Sequence, residues 1–392
     1  MSRTPLAVLS AVVLGLTAVA LAPVADAAPA APAAAHTQRV CATPAKGSAA
    51  CLAIRAEQAA PAGATAAATT IKGLTPADLR SAYALTTASS GGKTVALVEA
   101  FDAPKAEADL AVYRNHFGLR PCTTANGCFH KVSQTGSRTA LPQPNAGWAS
   151  ETMLDLDMVS ATCPDCTILL VETKDASFSN LATGARYAAS RHPAAISNSY
   201  GGDEYSGTLA SAYDQPGIAV TAASGDYGYG VSAPASFPTV IAVGGTSLSR
   251  TSTGWKAAAW SGAGSGCSAV QPKPAYQTGT KCTRKATADV SAVADPATGV
   301  AMYDSMSYQG YTGWQEFGGT SVSSPIIAAV YAQGTSTGHG TYPGAWTWSH
   351  RTGLTDVTTG SNGTCPIYRW CHATTGWDGP TGLGTPRGTA SF

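Results

Sequence analysis

Charged side chains are scarce: they make up 12% of the 392 residues, with a formal net charge of +1. A nucleic-acid binder needs a basic stripe for phosphates, so that class is excluded. No apolar run beyond the N-terminus is long enough to span a bilayer. Glycine (42) and proline (24) are abundant but lack a period, which excludes a collagen-like chain. No internal repeat is present. The seven histidines include none in a Gly-rich motif or at the end of a strong strand pattern, so a Ser-His-Asp triad has no evident base. A second Cys-x-x-Cys is also missing. "CPDC" at 163–166 therefore cannot complete a zinc cage, and as a redox pair it would oxidise outside the cell.

What is present begins with an apolar leader. Arg3 precedes "LAVLSAVVLGLTAVALAP", and Ala25-Asp26-Ala27 forms a small-x-small cleavage site. The expected reading is a signal peptide over 1–27 and a secreted, extracellular protein. Ten cysteines fit export. They lie in close pairs, Cys41/Cys51, Cys122/Cys128, Cys163/Cys166, Cys267/Cys282 and Cys365/Cys371, which suggests short-loop disulfides without fixing their connectivity. Residues 28–72 are rich in Ala, Pro and Thr, above all "EQAAPAGATAAATT", and read as a short pro-segment or linker.

Ordered patterning begins near residue 71. Thr75 is a candidate helix cap with Pro76 behind it. Apolar β-branched runs such as "TVALVEA" (94–100) and "TILLVET" (167–173) then alternate with helical patterns such as "GWASETMLDLDMVSA". Strands apolar on both faces between helices imply an α/β domain over 73–392, with a mainly parallel sheet covered by helices. In such sheets chemistry gathers at the carboxyl ends of the strands.

Three stretches carry candidate chemistry. In "FGGTSVSSPIIAAVYAQ", Ser321 follows two glycines and opens an apolar helix. That is a nucleophile at a helix N-terminus or an ordinary cap. In "WASETMLDLDM", Glu151 and Asp155 are four residues apart and share one helix face, among apolar neighbours and without a nearby cation. Such a pair is a site or a solvated acidic face; Asp157 points off that face. Asp226, in "GIAVTAASGDYGYG", follows a strand between glycines. It is a proton-donating acid or a turn Asp.

Together these stretches resemble the sedolisin family, the serine-carboxyl peptidases with a subtilisin-like fold. The signature Gly-Thr-Ser-x-Ser-x-Pro is Gly319 to Pro325, the Glu-x-x-x-Asp helix is Glu151 to Asp155, and the Ser-Gly-Asp loop is Ser224 to Asp226. "SNSYGG", "VIAVGGTSL" and "DVSAVADPATGVAMY" resemble the intervening segments, and the similarity runs from about residue 73 to the C-terminus. The resemblance implies a subtilisin-like three-layer α/β/α fold and a secreted serine endopeptidase, or a tripeptidyl-peptidase. Ser321 would be the nucleophile, Glu151 the base, Asp155 its orienting partner and Asp226 the oxyanion acid, with activity favouring acidic pH. A calcium ion is implied in the C-terminal loop, held by the side chains of Asp356 and Asp378 and the carbonyls of Val357, Thr374 and Gly376. Thr374 stands where the family usually has glycine. Expected partners are protein or peptide substrates, with no nucleic acid and no membrane, and the expected state is a monomer. Relatives of this family usually carry a large pro-domain, which the roughly 45 residues between the cleavage site and residue 73 are expected to be too few to form, and autocleavage near residue 70 is one expectation. An inactive binding protein on the same scaffold is the alternative.

Overall fold

The computed structural model describes residues 1–2, 36–57, 71–205, 207–339 and 341–392. The expected cleavage site at Ala25-Asp26-Ala27 and most of the Ala-rich stretch before residue 71 lie outside the described residues. Three short strands come first: β1 (His36–Arg39), β2 (Ala50–Cys51) and β3 (Ile54–Glu57). Helix α1 (Pro76–Ala82) opens the patterned region. Thr75 caps it, and its hydroxyl accepts the Asp78 amide while Asp78 accepts the Thr75 amide. There follow β4 (Thr94–Ala100), α2 (Ala106–His116), β5 (Phe129–Ser133), α3 (Ala146–Thr162), β6 (Thr167–Thr173) and α4 (Phe178–Ser190). Next come β7 (Ala195–Asn198), β8 (Tyr200–Gly201), β9 (Ala219–Ala223), β10 (Ile241–Thr251) and β11 (Gly254–Ala259). The hairpin β12 (Gly266–Pro272) and β13 (Arg284–Thr287) leads to β14 (Val290–Val293), β15 (Val300–Tyr308), β16 (Tyr311–Gly318) and α5 (Thr320–Gln333).

The central sheet has eight strands in the order β11-β10-β9-β7-β4-β6-β5, with β14 also paired to β10. Every pairing is parallel except that of β10 with β11. The chain reverses its direction of travel across the sheet between β4 and β7, and a crevice opens there at the carboxyl edge.

Side-chain alternation separates the layers. Val98 and Val171 face α4, where Gly184 lets the helix settle; a Cβ at 184 would stand 2.6 Å from Thr173 Cγ2 and 3.1 Å from Val98 Cγ1. Glu99, one residue on from Val98, points to the opposite face, toward α3. Helices α3 and α5 pack against each other there, and from Gly147 to Thr162 and Thr320 to Gln333 every residue is buried. A helix apolar nearly all round must be enclosed on all sides, which is why these two lie at the centre of their layer.

Residues 36–57, whose composition reads as linker, are folded onto this domain. β1, β3, β16 and β15 make a four-stranded antiparallel sheet, and β2 pairs antiparallel with β8. Val40, Leu52, Ala53 and Ile54 are buried. The alanines on either side dilute this short apolar run in any composition window. The ten cysteines form the five expected short-loop disulfides.

Gly184→Val is expected to lower stability by about 1–3 kcal/mol through overpacking against Thr173 and Val98. A urea midpoint unchanged from wild type would show that α4 shifts freely on the sheet.

Candidate active site

Ser321 is the second residue of α5 and is fully buried. Gly319 before it has φ +98, a conformation that favours glycine. A side chain at 319 would also collide with the Leu52 carbonyl oxygen, 1.9 Å from the Cβ position, and approach Asp226 Oδ2 at 2.8 Å. The glycine therefore brings the helix start, Asp226 and a peptide carbonyl to one place.

Ser199 joins Ser321 to the acids. Its carbonyl accepts the Ser321 hydroxyl at 3.1 Å. Its own hydroxyl donates to Asp155 Oδ2 at 2.8 Å. Ser199 directly follows β7, at the crevice. Glu151 lies one turn before Asp155 on α3, and its Oε2 accepts the Ala53 amide at 2.8 Å. The Ser321 hydroxyl lies close enough to Glu151 to favour its charged form.

A third acid completes the cluster. Glu99, at the carboxyl end of β4, is fully buried beside Asp155. Burial pushes the Glu99 carboxyl well above its usual range, and the charges of Asp155 and Glu151 push the same way. Burial likewise raises Asp155, to about 8, against the hydrogen bond from Ser199. Glu151 is raised by burial and by Asp155, while Ser321 and the Ala53 amide oppose the shift. No Lys or Arg pairs with any of the three among the described residues. Protons take the place of cations in this cluster.

Asp226 stands on the other side of Gly319. Its Oδ1 accepts the Thr320 amide at 2.8 Å and the Thr320 hydroxyl at 2.7 Å. Burial lifts its carboxyl to about 6, against those two bonds and the Arg39 charge 3.8 Å away. Asp157, by contrast, accepts the Tyr303 amide at 3.0 Å and ties α3 to β15. None of the described histidines contacts Ser321 or Glu151; His116 rests on Trp314, His350 on Trp346 and His372 on Tyr368.

The four residues singled out in the sequence, Glu151, Asp155, Asp226 and Ser321, thus meet in one crevice. Glu99, Ser199 and Thr320 are further members. Glu99 carries a signal of its own: a glutamate inside an apolar strand pattern is almost never buried without a partner. Ser199 carries none, because a serine after a strand is common.

The second group lies in the C-terminal loop. Asp378 is buried, and its Oδ2 accepts the Thr374 amide at 3.0 Å. The exposed Asp356 accepts the Gly376 amide at 2.8 Å. Burial moves the Asp378 carboxyl up to about 7, and the Asp356 charge adds to it. Neither acid has an ion pair among the described residues. The nearby Cys365, Cys371 and His372 group is not a metal site, since its two cysteines are bonded to each other.

Comparison with known proteins places this geometry. The model of the subtilase family matches residues 135–360, more than half of the chain. The chain belongs to the subtilase family. Within it, its relatives are sedolisins. This subtilase is 30% identical over 359 residues to kumamolisin from Bacillus sp. (strain MN-32), an alignment that takes in 80% of this chain and 62% of that one. It is 36% identical over 177 residues to sedolisin from Pseudomonas sp. (strain 101), covering 40% of this chain and 29% of that one. The chain therefore spans less than two thirds of the length of either relative. The structure of Pseudomonas sedolisin, a serine-carboxyl proteinase complexed with two molecules of pseudo-iodotyrostatin, superposes with a TM-score of 0.68 at 26% identity. It covers 81% of this chain and 96% of that one. The sedolisin membership and the subtilisin-like α/β fold expected from the motifs are both found.

The carboxyl cluster sets a pH dependence of stability. Glu99, Glu151 and Asp155 bind protons more tightly folded than unfolded, where their pKa values are about 4. Their stabilising contribution is complete below about pH 4 and is lost as the pH climbs toward the raised values, about 8 for Asp155. The slope is about 1.4 kcal/mol per pH unit for each proton retained. Urea midpoints measured on Ser321→Ala should fall from pH 4.5 to pH 8, and Glu99→Gln should flatten the decline. A midpoint that rises over this range would show that the cluster ionises freely.

Proposed function

We propose that this subtilase hydrolyses peptide bonds by acyl transfer through Ser321, Glu151 and Asp155, with an acidic pH preference. The observation that carries the reading is that buried Ser321 and Asp155 share Ser199, with Glu151 one helical turn away and Asp226 across Gly319. Glu151 takes the hydroxyl proton as Ser321 attacks a carbonyl. Burial raises all three carboxyls, and at Glu151 the Ala53 amide and the nearby Ser321 oppose that rise, favouring the charged form that takes the proton. The protonated Asp226 donates to the oxyanion, and the Ser321 amide at the helix start is the second donor. An imidazole is unnecessary, because the base is a carboxylate whose pKa the burial has lifted. A binding role on an inert scaffold is not favoured, since every position of this machinery is occupied.

Calcium fits the C-terminal loop. Asp378 is a buried acid without a cation, and Asp356 is held toward the same loop. Their carboxylates, with the carbonyls of Val357, Thr374 and Gly376, would hold the ion, which supplies charge balance and loop rigidity rather than chemistry. Export fits the five disulfides, which persist in oxidising compartments. No helix among the described residues is long and apolar enough to cross a membrane. Substrates are proteins or peptides, and both endopeptidase and tripeptidyl-peptidase action are compatible with the crevice.

On a denatured protein substrate, Ser321→Ala should lose roughly four orders of magnitude or more in kcat/KM. Wild-type activity should fall as the pH rises through about 6, where Asp226 gives up its proton. Asp226→Asn should cost about 10²–10³-fold and lose that limb of the profile; a maximum at alkaline pH contradicts the assigned roles. Chelation should lower the melting temperature by several degrees, consistent with a bound ion at about 100 times its Kd. An unchanged melting curve contradicts the calcium site.

A further inference from the structure

Residues 50–54 run through the crevice in the manner of a bound peptide. Ala50 pairs with Gly201 and Cys51 with Tyr200, antiparallel along the strand beside the nucleophile. The Leu52 amide donates to Ser199 O at 3.2 Å, the same oxygen that accepts the Ser321 hydroxyl. Two donors on one oxygen bring the Leu52 backbone and Ser321 side by side. The Leu52 carbonyl oxygen points at the space beside Gly319, into which Asp226 Oδ2 also projects. The next amide, that of Ala53, donates to Glu151 Oε2. Beyond it, Ile54 pairs with Gly318 and Arg55 with Phe317.

We infer that this protein holds its own Leu52–Ala53 peptide as a scissile bond and cuts it, so that residues up to Leu52 are both plug and first substrate. The inference rests on the peptidase reading above and deepens it. The Leu52 amide, the Leu52 carbonyl oxygen and the Ala53 amide each lie beside a group of the site. Ser321 Oγ attacks the Leu52 carbonyl carbon and passes its proton to Glu151. The carbonyl oxygen becomes the oxyanion beside Asp226. When the Leu52 C–Ala53 N bond breaks, the Ala53 nitrogen takes the proton from Glu151, to which it is already hydrogen-bonded. Water then hydrolyses the Leu52 ester, leaving a Leu52 carboxylate, a free Ala53 amine and the Ser321 hydroxyl.

The segment is held firmly enough for the geometry to be specific. The Cys41–Cys51 disulfide closes a loop around it, and the Val40 amide donates to Ala53 O at 3.3 Å. Gly147, at the start of α3, receives the Val40 carbonyl, which would lie 2.4 Å from a Cβ there. The Leu52 side chain is 2% exposed and sits against Gly201, where a Cβ would meet its Cδ1 at 3.3 Å. A cavity of about 560 Å³ continues from it, lined by Gly225, Val231 and Ser232. The geometry therefore also assigns a preference for a leucine-sized apolar residue before the cut. The cut falls well upstream of the Ala-rich stretch near residue 70.

The test is N-terminal sequencing and intact mass of the full chain after purification near neutral pH and transfer to about pH 4, near carboxyl pKa values. Wild type should yield a new terminus at Ala53, at a rate independent of protein concentration, while Ser321→Ala stays whole. Leu52→Asp should slow the cut about 10–200-fold, and Leu52→Met should restore it, which separates loss of the pocket fit from loss of folding. A denatured protein substrate is assayed in parallel. If wild type cleaves that substrate while the Leu52–Ala53 bond persists, or cuts itself only elsewhere, the self-cleavage inference is overturned and the peptidase reading stands. If it cleaves neither, both fall.

Discussion

Three carboxyl groups buried side by side are the constraint around which this molecule is organised. Among the described residues no cation neutralises Glu99, Glu151 and Asp155, so the protein must supply protons, hydrogen bonds or a substrate. Two of the three sit on α3, which explains why that helix is enclosed from end to end, with Glu99 on the strand beneath it and α5 alongside. An exposed helix would let water ionise all three groups independently. Enclosure makes them behave as one unit, and the unit shares Ser199 with Ser321.

The same constraint shapes the backbone around the nucleophile. Gly319 lets the chain turn into α5 with no side chain between Asp226 and whatever occupies the crevice. Thr320, the first helical residue, saturates one oxygen of Asp226 and leaves the other directed at that gap. Position, rather than residue type alone, sets Glu151 and Asp155 on one side of Gly319 and Asp226 on the other. Burial raises them all; hydrogen-bond donors decide which one yields its proton first.

The fold was legible because its strands are apolar on both faces and its helices begin at recognisable caps. The runs Thr94–Ala100 and Thr167–Thr173 coincide with their observed strands residue for residue. The site was legible where residue type and spacing carry chemistry, as in the four-residue interval from Glu151 to Asp155 and the glycines before Ser321. It was not legible where the partner is distant in sequence. Nothing local to Ser199 announces that it bridges α3 and α5, and Glu99 looks like an oddity inside a strand until Asp155 is seen above it. Residues 36–57 escaped for another reason. Beyond the pairing of β1 with β3, among the described residues their strands find partners in β8 and β16, over a hundred residues away in sequence.

The pairing of β2 with Tyr200–Gly201 has a broader consequence for what can enter. Under the proposed function, a substrate taking the place of β2 gives the amides and carbonyls of consecutive residues to that edge, so it arrives fully extended. Helices and tight turns keep those groups for themselves and are turned away at the rim, whatever side chains they carry. Backbone shape is the first filter, and pocket chemistry acts only on chains that have already come unwound.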